Sequence, residues 1–267
     1  MRHENLRLHG EPPFKLAVVH GGPGAGGEMA PVARVLASGR GVLEPIQTAK
    51  TLDGQVEELR AALETHGDPP VTLLGFSWGA WLSFIVAARY PTLVRKLILV
   101  GSGPFEEAYV ARLEQARMSR LSAEEQAEFQ AILDALADPE AEGKDALLAR
   151  LGALAAKADQ YDPIAGAPHE PDRVGPRGDV FQGVWRDAAA LRRSGELLEL
   201  GRDVRCPVVA IHGDYDPHPA QGVEKPLSAV LRDFRFILLD RCGHTPWIER
   251  DVMREFYAVV EKELRPL

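Results

Sequence analysis

Four short stretches of this chain carry residue types that suit acyl transfer, and each follows an apolar run. Gly75-Phe76-Ser77-Trp78-Gly79 stands between such a run and a helical pattern. That is the setting of a nucleophile elbow, where flanking glycines permit a sharp turn and lift a serine hydroxyl above a sheet. A serine hydroxyl is a weak nucleophile at neutral pH and needs a base to take its proton. Gly243-His244 supplies an imidazole, and His212-Gly213-Asp214-Tyr215-Asp216-Pro217 supplies a carboxylate to orient it. The expected set is Ser77 as nucleophile, His244 as general base and Asp216 as the orienting acid. Asp214 is an alternative acid and His218 an alternative base. Asp216 is preferred because it lies four residues beyond His212, which closes its strand.

The oxyanion formed by such an attack needs preorganised N–H donors. Trp78, at the start of the helix after the serine, offers one N–H together with the positive end of the helix dipole. His20-Gly21-Gly22-Pro23-Gly24 exposes main-chain amides after an earlier strand. Gly22 is the expected second donor, with Gly21 as its rival, and His20 reads as a turn residue. The glycines lack the G-x-G-x-x-G spacing of a phosphate loop, and no Lys-Ser/Thr pair follows them. Nothing in these motifs asks for a cofactor or a metal ion.

The elements that must position these residues are legible from periodicity. Short aliphatic runs at 16–19, 71–74, 96–100, 207–211 and 234–239 end in turns and read as buried parallel strands, with 41–45 a weaker candidate. Helical patterns follow at 29–37, 55–65, 79–89, 228–232 and 250–264. The alternation predicts an α/β fold with a doubly wound, mainly parallel sheet. It stops at Ser102 and resumes near Cys206. The intervening residues read as helices at 105–118, 122–137, 144–157 and 180–200, with a Pro- and Gly-rich loop over 162–179. Ser122 and Glu125 have capping-box spacing. The expected organisation is a core of residues 1–102 and 202–267 interrupted by an α-helical cap at 103–201. In that cap, Trp185 and Phe181 are candidates to line a substrate pocket.

The bulk composition narrows the partners. The 267 residues carry 31 basic and 39 acidic side chains, a formal charge of −8, with 45% hydrophobic residues and no dense Lys/Arg cluster. That disfavours nucleic acid and anionic membrane, and leaves a small molecule or short peptide as the expected partner. No apolar window approaches the roughly 18 residues of a membrane span. The N-terminal residues lack the apolar stretch of a signal peptide. Cys206 and Cys242 fall at opposite ends of two strands, on the order of 15–20 Å apart at about 3.3 Å per residue, beyond the roughly 7 Å limit for a bridge. A reduced, cytoplasmic protein is expected. Oligomeric state is not written in the sequence.

Taken together, His20–Gly24, Gly75–Gly79, His212–Asp216 and Gly243-His244 resemble the α/β-hydrolase superfamily over nearly the whole chain. Within it, His-Gly-Gly-Pro-Gly with Gly-x-Ser-Trp-Gly is similar to the proline iminopeptidases. That resemblance implies removal of N-terminal proline, with cap carboxylates holding the free amine. Glu106, Glu107, Asp187 and Glu196 are the acids the cap offers for this. Ala80 stands where those peptidases usually show glycine, and the short stretch ahead of His20 implies that one or two leading strands of the family sheet are missing. A carboxylesterase without peptidase activity, or a non-catalytic ligand receptor on the same fold, are the alternative expectations.

Overall fold

The computed structural model describes residues 5–138, 140–165 and 174–265. The loop expected over 162–179 therefore lies partly outside the described residues. The strands are β1 (Leu6–His9), β2 (Phe14–Val19), β3 (Gly41–Pro45), β4 (Val71–Phe76), β5 (Val94–Val100), β6 (Val208–Gly213) and β7 (Phe234–Leu239). They form one sheet in the order β1-β3-β2-β4-β5-β6-β7. Only β1 is antiparallel, pairing with β3 at the edge. β1 is a leading strand that the sequence reading did not delineate. It has only four residues, none fully buried, so it lacks the apolar run that marks a central strand.

Among the described residues the helices are α1 (Ala30–Leu36), α2 (Leu52–His66), α3 (Trp78–Arg89), α4 (Val110–Met118), α5 (Ala123–Ala137), α6 (Lys144–Asp159), α7 (Gly178–Arg193), α8 (Glu196–Glu199), α9 (Gln221–Val230) and α10 (Met253–Leu264). None is long and apolar enough to cross a membrane. Alternate residues of each central strand enter different cores, as the two-residue period of a strand requires. Leu97 and Leu99 join α2, α3 and α9 on one face, whereas Ile98 and Val100 join α1 and α10 on the other. Both faces are therefore dry, which accounts for the near-continuous apolar runs.

Between β5 and β6 the chain passes through α4–α8 and returns to the same sheet. This insertion has two parts. α5 and α6 form a satellite core around Phe129, Ile132, Leu136, Leu148 and Leu151. α7 instead sends Val180, Val184 and Ala188 into the main core beside α2 and α3. The capping box at Ser122 and Glu125 is formed.

Three helix expectations are corrected. The pattern over 180–200 is split, because Gly195 adopts φ +83° after Ser194 and ends α7. The first turn expected at Phe105 is a short 3-10 turn at Glu107–Tyr109 ahead of α4. The helix expected at 228–232 is α9, which starts seven residues earlier and contains Pro226. Proline disfavours a helix interior, yet Gly222, Val223, Pro226 and Leu227 form one buried stripe whose packing outweighs it.

Candidate active site

Ser77 is the hinge between β4 and α3. It holds φ 52° and ψ −115°, one of two non-glycine residues at positive φ among those described. Neighbouring packing forces that conformation. A Cβ on Gly75 would stand 2.2 Å from the Gly79 carbonyl oxygen, and one on Gly79 would stand 2.4 Å from those of Val19 and His20. The strand and helix thus approach too closely for any side chain at either position. Ser77 N–H donates to the Val100 carbonyl at 2.9 Å, which ties the turn to the end of β5.

The loop after β2 is fixed by two polar anchors. His20 is fully buried; its Nδ1–H donates to the Gly21 carbonyl at 2.6 Å, and its Nε2 accepts Gln47 N–H at 3.1 Å. Burial lowers its pKa to about 4, so it is a neutral turn residue. Gly21 N–H donates to Glu28 Oε1 at 2.7 Å and is thereby occupied. No acceptor among the described residues takes the N–H of Gly22 or of Trp78. Of the two glycines weighed from the sequence, Gly22 is the one with a free donor.

The structure brings Asp216 and His244 together, 28 residues apart in sequence, with His244 Nδ1 to Asp216 Oδ2 at 2.7 Å. Asp214 does not compete, because its carboxylate accepts Cys242 N–H at 3.0 Å and joins the loops after β6 and β7. Burial pushes the Asp216 carboxyl up, but the surrounding His244, His218 and His212 imidazoles outweigh it and hold it well below the usual range. Burial also opposes the His244 imidazolium, and the Asp216 charge and hydrogen bond overcome that and raise its pKa. His218 holds the other oxygen of the same carboxylate, its Nδ1 donating to Asp216 Oδ1 at 2.8 Å, but burial lowers its pKa to about 4 where that of His244 is raised.

The His244 ring lies 4.7 Å from that of Phe76, the residue before Ser77. It also lies over Gly101, where a Cβ would come within 3.0 Å of Nδ1. Serine and histidine are therefore neighbours around the ends of β4 and β5. The Ser77 hydroxyl makes no hydrogen bond with a described residue in this resting form. Such contacts commonly close only when substrate binds.

Two further residues of this rim carry weak sequence signals. Gly101 has φ +52° and floors the imidazole; in sequence it is one more strand-end glycine. Glu249 is 1% exposed and accepts N–H from Gly243 at 3.0 Å, Tyr161 at 2.9 Å and Asp162 at 2.7 Å. An acid directly after Pro246-Trp247-Ile248 is the signal that could have singled it out. The insertion reaches the same loop elsewhere. His244 N–H donates to the Asp159 carbonyl at 2.8 Å, and the Asp159 side chain is paired with Arg117 at 2.8 and 2.6 Å.

Trp185 and Phe181 form an aromatic ladder from the insertion to α3. The Phe181–Trp185 centroids are 6.2 Å apart and the Trp185–Trp81 centroids 6.1 Å apart, with planes within 10° and 2° of parallel. Trp81 Nε1 donates to the Gly103 carbonyl at 3.1 Å, and Trp185 remains 39% exposed. Among the acids between β5 and β6, Glu107 pairs with Arg192 at 2.8 Å, and Asp187 contacts Arg186 at 3.2 Å and Leu52 N–H at 3.4 Å.

Comparison with known proteins agrees with this fold. The chain is similar in fold to the crystal structure of VinJ (TM-score 0.71, 20% identity, 97% of this chain and 93% of that one). It is likewise similar to a proline iminopeptidase of Mycobacterium smegmatis (TM-score 0.65, 20% identity, 97% and 93% covered). E-2-(acetamidomethylene)succinate hydrolase superposes with TM-score 0.62 at 19% identity, over 97% and 93% of the chains. Ethanol acetyltransferase 1 of Cyberlindnera fabianii is 24% identical over 121 residues, 40% of this chain, and the match spans only 35% of that relative's length. The family model described as alpha/beta hydrolase fold matches residues 16–250, and on that extent the chain belongs to the α/β-hydrolase fold family.

Proposed function

We propose that the chain is a serine hydrolase that cleaves an ester or amide bond of a small molecule or short peptide through an acyl-Ser77 intermediate. The reading rests on one observation above all. A buried carboxylate holds His244 Nδ1 at 2.7 Å, and the imidazole packs against Phe76, the residue before a serine in a strained turn. Ser77 Oγ attacks the carbonyl carbon as His244 Nε2 takes its proton, and Asp216 steadies the imidazolium so formed. Gly22 and Trp78 N–H groups receive the oxyanion. His244 then returns its proton to the leaving group, and water releases the acyl chain by the same steps.

Residues 103–201 serve in this reading as a cap over the site, with Trp185 and Phe181 lining it. The stacked ladder suits a flat or apolar acyl group. With Glu107 and Asp187 already engaged, fewer cap acids are left to grip a free amine, so a carboxylester substrate is favoured over an N-terminal proline. The two free thiols suit a reducing, cytoplasmic setting.

A fluorophosphonate should label Ser77, and Ser77→Ala should abolish labelling and lower turnover by about 10⁴–10⁶. An active preparation that stays unlabelled would defeat the mechanism. Short p-nitrophenyl esters assayed beside a prolyl-arylamide decide the substrate class; faster arylamide turnover would restore the aminopeptidase reading.

A further inference from the structure

Asp216 carries an imidazole on each carboxylate oxygen. His244 Nδ1 lies 2.7 Å from Oδ2 and His218 Nδ1 lies 2.8 Å from Oδ1. The two rings stack with centroids 4.5 Å apart and 26° between planes. The acyl-transfer cycle needs only the first of these imidazoles. Ligand atoms of Asp216, His218 and His244 all lie within 4.8 Å of one another, the one group of its kind among the described residues. The Asp216 side chain is fully buried, while each imidazole keeps 12% of its side-chain surface open to solvent.

We propose that Asp216, His218 and His244 form a binding site for a divalent transition-metal ion, and that the bound ion switches the enzyme off. Two imidazole nitrogens and one carboxylate are a donor set for Zn²⁺, Co²⁺, Ni²⁺ or Cu²⁺ rather than for Mg²⁺ or Ca²⁺. An ion about 2.0–2.2 Å from each donor asks for donor separations of about 3.3 Å, so the contacts at 2.7 and 2.8 Å must open by roughly half an ångström and any wider separation, at most 4.8 Å, must close to match. Asp216 is already an anion. The neutral imidazoles each move their proton from Nδ1 to Nε2, two N–H···O hydrogen bonds are lost, and metal–nitrogen and metal–carboxylate bonds replace them. No electron is transferred. The neighbouring Arg117 guanidinium is met by the Asp159 carboxylate at 2.6 Å, which limits its repulsion of an ion.

The switch follows from the tautomer. With the metal on Nδ1, His244 Nε2 carries the proton and has no lone pair with which to accept one from Ser77. Inhibition thus rests on the proposed acyl-Ser77 chemistry, whereas binding does not, and the two are measured separately. Zn²⁺ is titrated calorimetrically into the full chain, with Mg²⁺ in parallel. A single Zn²⁺ site is expected in the wild type, weakened by at least ~10–100-fold in His218→Phe, which keeps the ring stack, and in His244→Asn. No Zn²⁺ binding by the wild type, equal affinity in both variants, or equal binding of Mg²⁺ would overturn the site. Should His218→Phe lose cooperative unfolding, His218→Asn takes its place. In ester hydrolysis, saturating Zn²⁺ should lower the wild-type rate at least ~10-fold with recovery on adding EDTA, and His218→Phe should lose that sensitivity. Site-specific binding without inhibition would overturn the switch. Site-specific binding by a chain that hydrolyses nothing would support the site and refute the hydrolase reading.

Discussion

The two halves of the site are built from different material. The serine half is main chain: glycines packed against carbonyl oxygens, a free helix-terminal N–H and a loop pinned by buried His20 and by Glu28. The histidine half is side chain: a carboxylate among three imidazoles, with a loop held by Glu249 and by residues 159–164 of the insertion. Main-chain packing of the first kind admits almost no variation. Hydrogen-bonded side chains of the second kind can be weakened by degrees. Substitutions of the packed glycines in the serine half should therefore act on folding, and those of the hydrogen-bonding side chains in the histidine half on turnover.

The sharpest break is Gly79→Ala. Its Cβ would meet two carbonyl oxygens at 2.4 Å, from a central strand that cannot withdraw without opening the sheet. Overpacking of this kind costs about 1–3 kcal/mol or more, against roughly 5–15 kcal/mol of total stability. The variant should be recovered insoluble, or melt on the order of 10 °C lower. A melting temperature within about 2 °C of the wild type would show that the elbow is not held by this contact.

Asp216→Asn tests the other half, where the fold should survive and the chemistry should not. Turnover should fall by about 10⁴, because the amide does not hold His244 in the required tautomer. The pH profile adds a sign. His244 acts as a neutral base, so the rate drops as pH falls through its pKa. Asp216 holds that pKa above the ordinary value of about 6.5, so the wild-type inflection lies on the alkaline side of it. Without the carboxylate charge, burial prevails, and the inflection should move to lower pH. Movement to higher pH would contradict the assignment of Asp216.

The same contrast decides what could be read from the sequence. The serine half was legible because close packing demands glycine at fixed offsets, and glycine spacing survives in one dimension. β4, β5 and β6 were legible because both faces are buried, leaving unbroken apolar runs. β1 was not, since a four-residue edge strand with three half-buried residues and an exposed Leu8 carries no such run. α9 was hidden by Pro226, and the break at Gly195 lay inside an otherwise continuous pattern. Glu249 was obscure for a different reason. Its partners Tyr161 and Asp162 are distant in sequence, and nothing local records that a carboxylate at 249 will meet their N–H groups.

Glu249→Gln measures how far the insertion supports the histidine. Oε1 accepts from Gly243 and Tyr161, and Oε2 accepts from Asp162. Glutamine keeps one acceptor oxygen and places an NH₂ where the other stood, so at least one N–H faces a donor. An unsatisfied buried N–H of this kind costs about 1–3 kcal/mol. Gly243 immediately precedes His244, and His244 N–H is bonded to Asp159 of the same insertion segment, so the loosened contact bears directly on the imidazole. Turnover should fall about tenfold, as small misplacements of a base do, with amide exchange rising at Tyr161 and Asp162 and melting lowered by several degrees, roughly 2–4 °C per kcal/mol. Faster exchange with unaltered turnover would mean that the segment at 159–164 merely lies against the histidine loop, and that the acid, not the insertion, fixes His244.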